Sequence, residues 1–584
     1  MQIKPRSVPE QVTSLENYHP VLQRVYAARG ITEMAQLDTR LQALLPFHTL
    51  TDIDQAAQRL EQAIRQQQRI LIVGDFDADG ATSSALAVAC LRAMGAVSVE
   101  FLVPNRFEFG YGLTPAIVAV AKQWDPHLII TVDNGIASID GVEAASAYGI
   151  DVLITDHHLP AERVPVCTAI VNPNQKGDAF PSKSIAGVGV IFYVMLALRR
   201  QLLNSHWFQE QGLQVPNMAQ YLDLVALGTV ADVVALDHNN RVLVSQGMAR
   251  IRQGYARPGI KALIEVAGKT YQQLRETDLG FSVAPRLNAA GRLDDMSLGI
   301  ECLLCDDLET ARQLAVHLDE LNSERRKIEG EMKEQAMLAL EQLSHTVGLE
   351  KKTLPVGLCL FDNAWHQGVI GILAGRIKEK YHRPVIAFAA VSQQELKGSA
   401  RSIAGLNIRD VLASIDKDYP GLITKFGGHA MAAGLSLHPS AFHDFKQAYI
   451  TEVAKHIDDA QCRGELLSDG ALQPHDLCLE LAQLIHQAGP WGQQFPEPVF
   501  DNRFEVLEQR LVGQHHLKLT LVHEQGGEPI DAIAFHVDTK QWPNHRCGHI
   551  HAAYRLDVNQ YMGRTKLQLI IADIQVAHEL VADI

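Results

Sequence analysis

Carboxylates and an imidazole pair recur along this 584-residue chain, three times just beyond a short apolar run. Gly74-Asp75-Phe76-Asp77-Ala78-Asp79-Gly80 follows residues 70–73, Asp133-Asn134-Gly135 follows 128–132, and Asp156-His157-His158 follows 152–155. Asp232 lies in the almost uncharged segment 226–234, where a carboxylate is unfavourable unless paired or metal-bound. In an open parallel sheet the carboxyl ends of the strands converge on one crevice. Several carboxylates gathered there repel one another unless cations sit among them. Oxygen donors mixed with imidazole suit manganese or magnesium, and suit zinc less well without thiolates. Two such ions, roughly 3.5–4 Å apart, can generate hydroxide and clamp both oxygens of an in-line phosphoryl displacement. Phosphoester hydrolysis is the reaction these residues suggest.

Each cluster has a plainer reading. Asp75-x-Asp77-x-Asp79-Gly80 opens like an EF-hand loop, but the twelfth position, which must be Glu, is Leu86. Asp133 alone could cap a helix starting near Ser138. An isolated His157-His158 pair could be surface decoration. Adjacent residues of an extended chain point to opposite sides, so one imidazole would ligate metal while its neighbour faces substrate once the strand has turned.

The elements that must position these groups form an α/β pattern. Strands are expected at 70–73, 99–103, 128–132, 151–155 and 169–172, alternating with helices at 80–94, 115–123 and 138–148, followed by helices near 185–203 and 218–231. This parallel-sheet catalytic domain, residues 49–305, follows a mostly helical N-terminal extension, 1–48. A connector helix spans 306–345, capped by Asp306 or Asp307, with Leu314, Leu318, Leu321, Ile328 and Met332 on one face and a Glu329–Lys333 pair on the other. A smaller α/β domain is expected over 346–457, with strands near 356–361, 384–390 and 396–401, and helices near 368–381 and 408–416. Over 458–584 the period changes to alternation: Leu517, Leu519 and Leu521 share one face, as do Leu567, Leu569 and Ile571, which fits a small antiparallel barrel.

Composition is that of a globular chain, 47% hydrophobic and 20% charged, with no apolar stretch long enough to cross a bilayer. Eight scattered cysteines suit a reducing cytoplasm, and Cys302-x-x-Cys305 reads as helix packing. The net charge of −15 argues against a generally adhesive nucleic-acid protein, while leaving room for a local basic groove.

The four motifs in this order, followed by a long helix and Gly427-Gly428-His429, resemble the DHH phosphoesterase superfamily in its DHH-plus-DHHA1 arrangement. The terminal OB-like barrel narrows the resemblance to the exonuclease branch that degrades single-stranded DNA. The resemblance implies a two-ion site of manganese or magnesium held by Asp77, Asp79, Asp133, His157 and Asp232, with His158 facing the scissile phosphate. Many members carry a histidine four residues before Asp77; here that position is Val73, and Asp75 takes its place as the ligand. The implied activity is 5′→3′ hydrolysis to 5′-mononucleotides in repair and recombination. It would be carried out by a cytoplasmic monomer beside a single-strand-binding protein and a helicase, without a membrane.

Candidate DNA contacts follow the second strand and continue beyond the first domain. Arg106 could meet phosphate and Tyr111 a base. Arg286, Asn288 and Arg292, with Ser399, Arg401 and His429 from the second domain, offer phosphate-binding chemistry for a strand end. In the barrel Arg503, Arg510, Lys518, Arg555, Arg564 and Lys566 accompany Tyr554 and Tyr561. His545, Cys547, His549 and His551 could ligate a metal, though alternation along an exposed strand explains them as simply. Two other functions compete: a phosphoesterase for small substrates such as pyrophosphate, short oligonucleotides or cyclic dinucleotides, whose relatives usually lack the barrel, and a non-enzymatic replication scaffold, which would not need an intact ligand set.

Overall fold

Five apolar runs become five parallel strands of one sheet: β1 (Arg69–Gly74), β2 (Ser98–Leu102), β3 (Leu128–Val132), β4 (Asp151–Thr155) and β5 (Ala169–Val171), in spatial order β2-β1-β3-β4-β5. Every residue of β3, and all but Arg69 of β1, is buried, as near-continuous apolar strands must be when helices cover both faces. The helices that matter for the site are α1 (Ala78–Ala93), α2 (Gly187–Asn204), α3 (Leu222–Ala231) and α4 (Ala284–Leu293). The structure is a computed structural model describing residues 1–8, 15–105, 109, 112–345, 354–458, 462, 464–561 and 563–577. Its contacts divide the chain into two units, one of residues 3–319 with 467–584, the other of 1–2 with 320–466.

The N-terminal extension differs from expectation. Among the described residues it holds a strand, Gln2–Pro5, one α-helix, Pro20–Ala27, and three short 3₁₀ turns, Met34–Leu37, Leu41–Ala43 and Phe47–Thr49. It works as a brace: Tyr26 stacks on Trp491 and Phe495, and Arg29 grips the buried Asp469 at 2.8 and 3.1 Å. Such contacts, distant in sequence, leave no local periodicity to read.

Helix α5 (Leu308–His345) forms as expected, and Asp307 caps it by accepting from the Thr310 amide at 2.7 Å. Its buried line, however, runs Ala311, Ala315, Leu318, Asn322, Arg325, Glu329, Met332, Ala336 and Leu340. Glu329 is therefore on the buried face. It pairs with Arg325 at 2.6 Å and Arg376 at 3.0 Å, while Arg325 also donates to Asn322. A buried cation and acid satisfied by each other can replace apolar residues on a packing face.

The second unit carries a five-stranded sheet: β6 (Leu358–Asp362), β7 (Val385–Ala390), β8 (Leu396–Arg401), β9 (Lys425–Gly428) and β10 (Ala432–Leu437), in order β9-β10-β8-β7-β6. Helix α6 (Ile370–Tyr381) accompanies it. The β9–β10 hairpin was not expected, although Ala433, Leu435 and Leu437 alternate as buried residues of a half-exposed strand should.

The terminal segment closes into a barrel of β11 (Phe500–Val512), β12 (His516–His523), β13 (Ile530–Ala534), β14 (His549–Tyr561) and β15 (Arg564–Val576). Leu517, Leu519 and Leu521 point inward as their alternation requires, with Leu569 and Ile571. Tyr554 is also fully buried, its hydroxyl donating to Asn502 at 2.6 Å, so it is interior packing and not a base-stacking surface. His551 pairs with Asp501 at 2.8 Å.

Candidate metal centre

Strand register decides which residues meet. Gly74, Val132, Thr155 and Val171 align in one row across the sheet. One step beyond that row stand Asp75, Asp133, Asp156 and Asn172. Strand order reverses direction at β1 and β3, the switch point where open α/β sheets bind ligands. Val73 is buried inside the sheet, so it offers this edge nothing.

The turn after β1 is shaped by its own acids. Asp77 caps α1, one oxygen accepting from the amides of Asp79 and Gly80 at 2.9 and 3.0 Å. Asp79, in the first turn, accepts from the Gly187 and Val188 amides at the start of α2, at 2.7 and 3.0 Å. Gly80 is obligatory, because a Cβ there would lie 2.4 Å from the Asp75 carbonyl oxygen. Helix α4 presses on the same turn: Asn288 accepts from the Ala78 amide at 2.9 Å, and a Cβ at Gly291 would sit 1.8 Å from the Phe76 carbonyl oxygen.

Asp133 has a positive φ of 61° and is 2% exposed. His157 Nε2 lies 3.2 Å from its Oδ1 and 3.4 Å from Oδ2 of Asp232, which follows α3. Such separations are about those between neighbouring ligands around an octahedral ion at 2.0–2.1 Å. Asp232 Oδ2 is buried and, among the described residues, has no partner closer than His157. Ligand atoms of Asp75, Asp77 and Asp133 lie within 4.8 Å of one another, as do those of Asp79, His157 and Asp232, and those of Asp133, His157 and His158. Two of these groups suit neighbouring cations, with Asp133 and His157 in contact between them. Two glycines make the space: a Cβ at Gly187 would lie 2.6 Å from Asp133 Oδ1, and one at Gly228 would lie 2.8 Å from Asp79 Oδ1.

The electrostatics show what the pocket lacks. Burial raises Asp79 to about 7, and the Asp77 charge adds to it against the two α2 amides. Burial, then the neighbouring carboxylates, raise Asp133 and Asp232 well above the usual carboxylate range. Burial and mutual repulsion thus both favour the protonated form of these acids. His158 differs: burial alone would lower it, but the Asp156 carboxylate 2.7 Å from Nδ1 raises it to about 9. Burial would likewise raise Asp156, yet the His158 hydrogen bond and charge, with the Ile136 amide, bring it below its ordinary value. Asp156 thus orients a cationic His158 and is spent on doing so. That orienting role was not assigned from sequence.

The expected DNA contacts fare unevenly. Arg106 and Tyr111 lie outside the described residues, as does the side chain of Tyr561. Arg286 is buried, ion-paired to Asp319 at 2.8 Å and donating to the Ser282 carbonyl, so its guanidinium is engaged inside the fold. Asn288 holds the metal turn, as above, and Arg292 is half-buried near the end of α4. In the second unit Arg401 donates to Ser399 Oγ at 3.2 Å. A Cβ at Gly371, in the first turn of α6, would lie 2.9 Å from both Arg401 Nη2 and Ser399 Oγ. Ala432 pairs with Arg401, and the His429 amide donates to the Ala432 carbonyl, so exposed His429 shares that sheet end. His366, just before α6, accepts at Nδ1 from the Gly368 amide at 3.2 Å.

Three family models match segments of the chain. The DHH family N-terminal domain matches residues 69–229, the DHHA1 domain 354–455 and the RecJ OB domain 468–573. The chain is therefore a DHH-type phosphoesterase carrying DHHA1 and OB domains. It is 53% identical over 567 residues to the single-stranded-DNA-specific exonuclease RecJ of Dickeya dadantii, covering 97% of this chain and 98% of that one. With the Escherichia coli protein of the same name it shares 51% over 574 residues, covering 98% and 99%. The crystal structure of Thermus thermophilus RecJ in complex with Mn²⁺ superposes with a TM-score of 0.81 at 30% identity, covering 99% of this chain and 80% of that one. The chain belongs to the RecJ family.

Raised carboxyl values have a thermodynamic consequence. Asp79, Asp133 and Asp232 bind protons more tightly folded than unfolded, so each withdraws stability as pH climbs from the ordinary value of 3.8 toward its folded value, about 7 for Asp79. Cations displace those protons. The gain in Tm on adding saturating Mn²⁺ should therefore grow from about pH 5 to about pH 8. Melting curves with and without the ion measure it, and a gain independent of pH would show that the acids are already ionised without metal.

Proposed function

We propose that this crevice is the two-ion hydrolytic site of a 5′→3′ exonuclease that acts on single-stranded DNA and releases 5′-mononucleotides. The observation that carries the reading is geometric: two ligand groups, Asp75–Asp77–Asp133 and Asp79–His157–Asp232, touch through Asp133 and His157. Its relatives' names and the barrel favour DNA over a small phosphoester. Manganese or magnesium fits these oxygen and imidazole donors, and the Thermus protein was crystallised with either.

When bound, the ions neutralise the crowded carboxylates, acidify water and withdraw charge from the phosphate. The chain's own residues do the rest. Asp75, Asp77, Asp79, Asp133, His157 and Asp232 fix where the cations and the phosphodiester sit. Water adds to phosphorus, the P–O3′ bond of the terminal nucleotide breaks, and the shortened strand keeps a 5′-phosphate. His158, protonated at neutral pH, donates toward the phosphate as negative charge builds, and Asp156 holds its ring for that task.

Polarity requires recognition of a 5′ end. Arg401, Ser399 and the first turn of α6 crowd together in the second unit, and a helix N-terminus with an arginine is ready-made for a phosphate. His429 at the same sheet end completes this reading. Exposed Arg503, Arg510, Arg564 and Lys566 of the barrel would hold the strand through its backbone. The reading further takes the enzyme as a cytoplasmic monomer in repair and recombination, beside a single-strand-binding protein and a helicase. Among the described residues no helix is long and apolar enough to cross a membrane.

Asp133→Ala should lower exonuclease turnover by at least about a hundredfold while gel shifts with single-stranded DNA persist. Cleavage at the wild-type rate would remove Asp133 from the site. Arg401→Ala should erase most of the preference for a 5′-phosphate over a 5′-hydroxyl end, about tenfold or more in kcat/KM, the worth of a charged hydrogen bond. A preference left intact would place end recognition elsewhere.

A further inference from the structure

We propose that Phe281 is a stacking platform for a base of the single strand, built into the wall of the metal crevice. The proposal rests on the nuclease reading above and goes beyond it to a residue that charge and motif patterns pass over.

Phe281 is 84% exposed, yet it sits on a rigid base. It occupies the middle of a π-helical turn, Leu279–Val283, whose two end residues are fully buried. Such turns are rare and concentrate at functional sites. Gly280 brings the turn against the last turn of α3, since a Cβ there would lie 3.3 Å from Val230 Cγ1. Val230 is two residues from Asp232. The Ser282 carbonyl accepts from Arg286, itself ion-paired to Asp319. Helix α4 continues directly from the turn, and through Asn288 and Gly291 it grips the Asp75–Asp79 loop. The ring and the carboxylates thus belong to one braced block. The buried guanidinium of Arg286, expected to touch DNA, instead stiffens the mount.

A second observation lies on the opposite side of Asp232 in sequence. Val233 has φ 60°, a strained conformation for a β-branched residue, and is 63% exposed. Exposed apolar side chains are therefore presented beside the acid in sequence and on the turn packed against Val230. The occupant follows from the site's charge. Lysine or arginine on this wall would be drawn into ion pairs with the carboxylates and compete with the cations. A neutral π-face holds a strand without that competition, and every base offers a matching face.

The test is steady-state hydrolysis of oligonucleotides carrying one abasic residue at successive positions from the 5′ end, with Mn²⁺, for wild type, Phe281→Ala and Phe281→Trp. Phe281→Ala should raise KM about tenfold with kcat within about twofold, the worth of one stacked base. Its Tm should stay unchanged, and Phe281→Trp should restore KM. In wild type one abasic position should raise KM by a similar factor, and that sensitivity should vanish in Phe281→Ala. Unchanged KM in Phe281→Ala, or the same abasic profile in both proteins, overturns the proposal alone. A wild-type chain that fails to cleave single strand overturns the nuclease reading and this proposal with it.

Discussion

Carboxylates forced together away from water govern this molecule. Asp75, Asp79, Asp133 and Asp232 are brought to one sheet edge by register and helix packing, where their like charges oppose one another. His158 is committed to Asp156, and His157 lies between two acids. Asp79, Asp133 and Asp232 respond by rising in pKa, as desolvated like charges do. The fold thus stores an electrostatic deficit that divalent cations remove. Hydrolysis follows from where that deficit is placed.

The scaffold around the deficit is built to hold it. Glycines at 187 and 228 let two helices approach carboxylate oxygens that any side chain would displace. The amides at the start of α2 stabilise Asp79, and Asn288 and Gly291 clamp the loop from another helix. Rigid supporting contacts of this kind keep ligands within the few tenths of an ångström that metal chemistry needs.

Much of this was legible from sequence because it is local. β-Branched runs ending in Asp75, Asp133 and Asp156 announce strands and their edges, and the alternation of Leu517, Leu519 and Leu521 announces a barrel wall. What escaped depends on partners distant in sequence. Arg286 looks like a phosphate contact until Asp319 and the Ser282 carbonyl claim it. Glu329 looks solvent-facing until Arg325 and Arg376 draw it onto the buried face. Tyr554 has the composition of a base-stacking residue and the burial of a core one. The 1–48 segment, held by Asp469, Trp491 and Phe495, could not show its braces in its own pattern.

The paired-cation account is tested most directly by counting ions. Metal-free protein equilibrated with Mn²⁺ and assayed by elemental analysis should bind two ions per chain at this crevice, and His157→Ala should lose at least one of them. A native chain that cleaves DNA while holding a single ion, or a His157→Ala chain that keeps both, would contradict it.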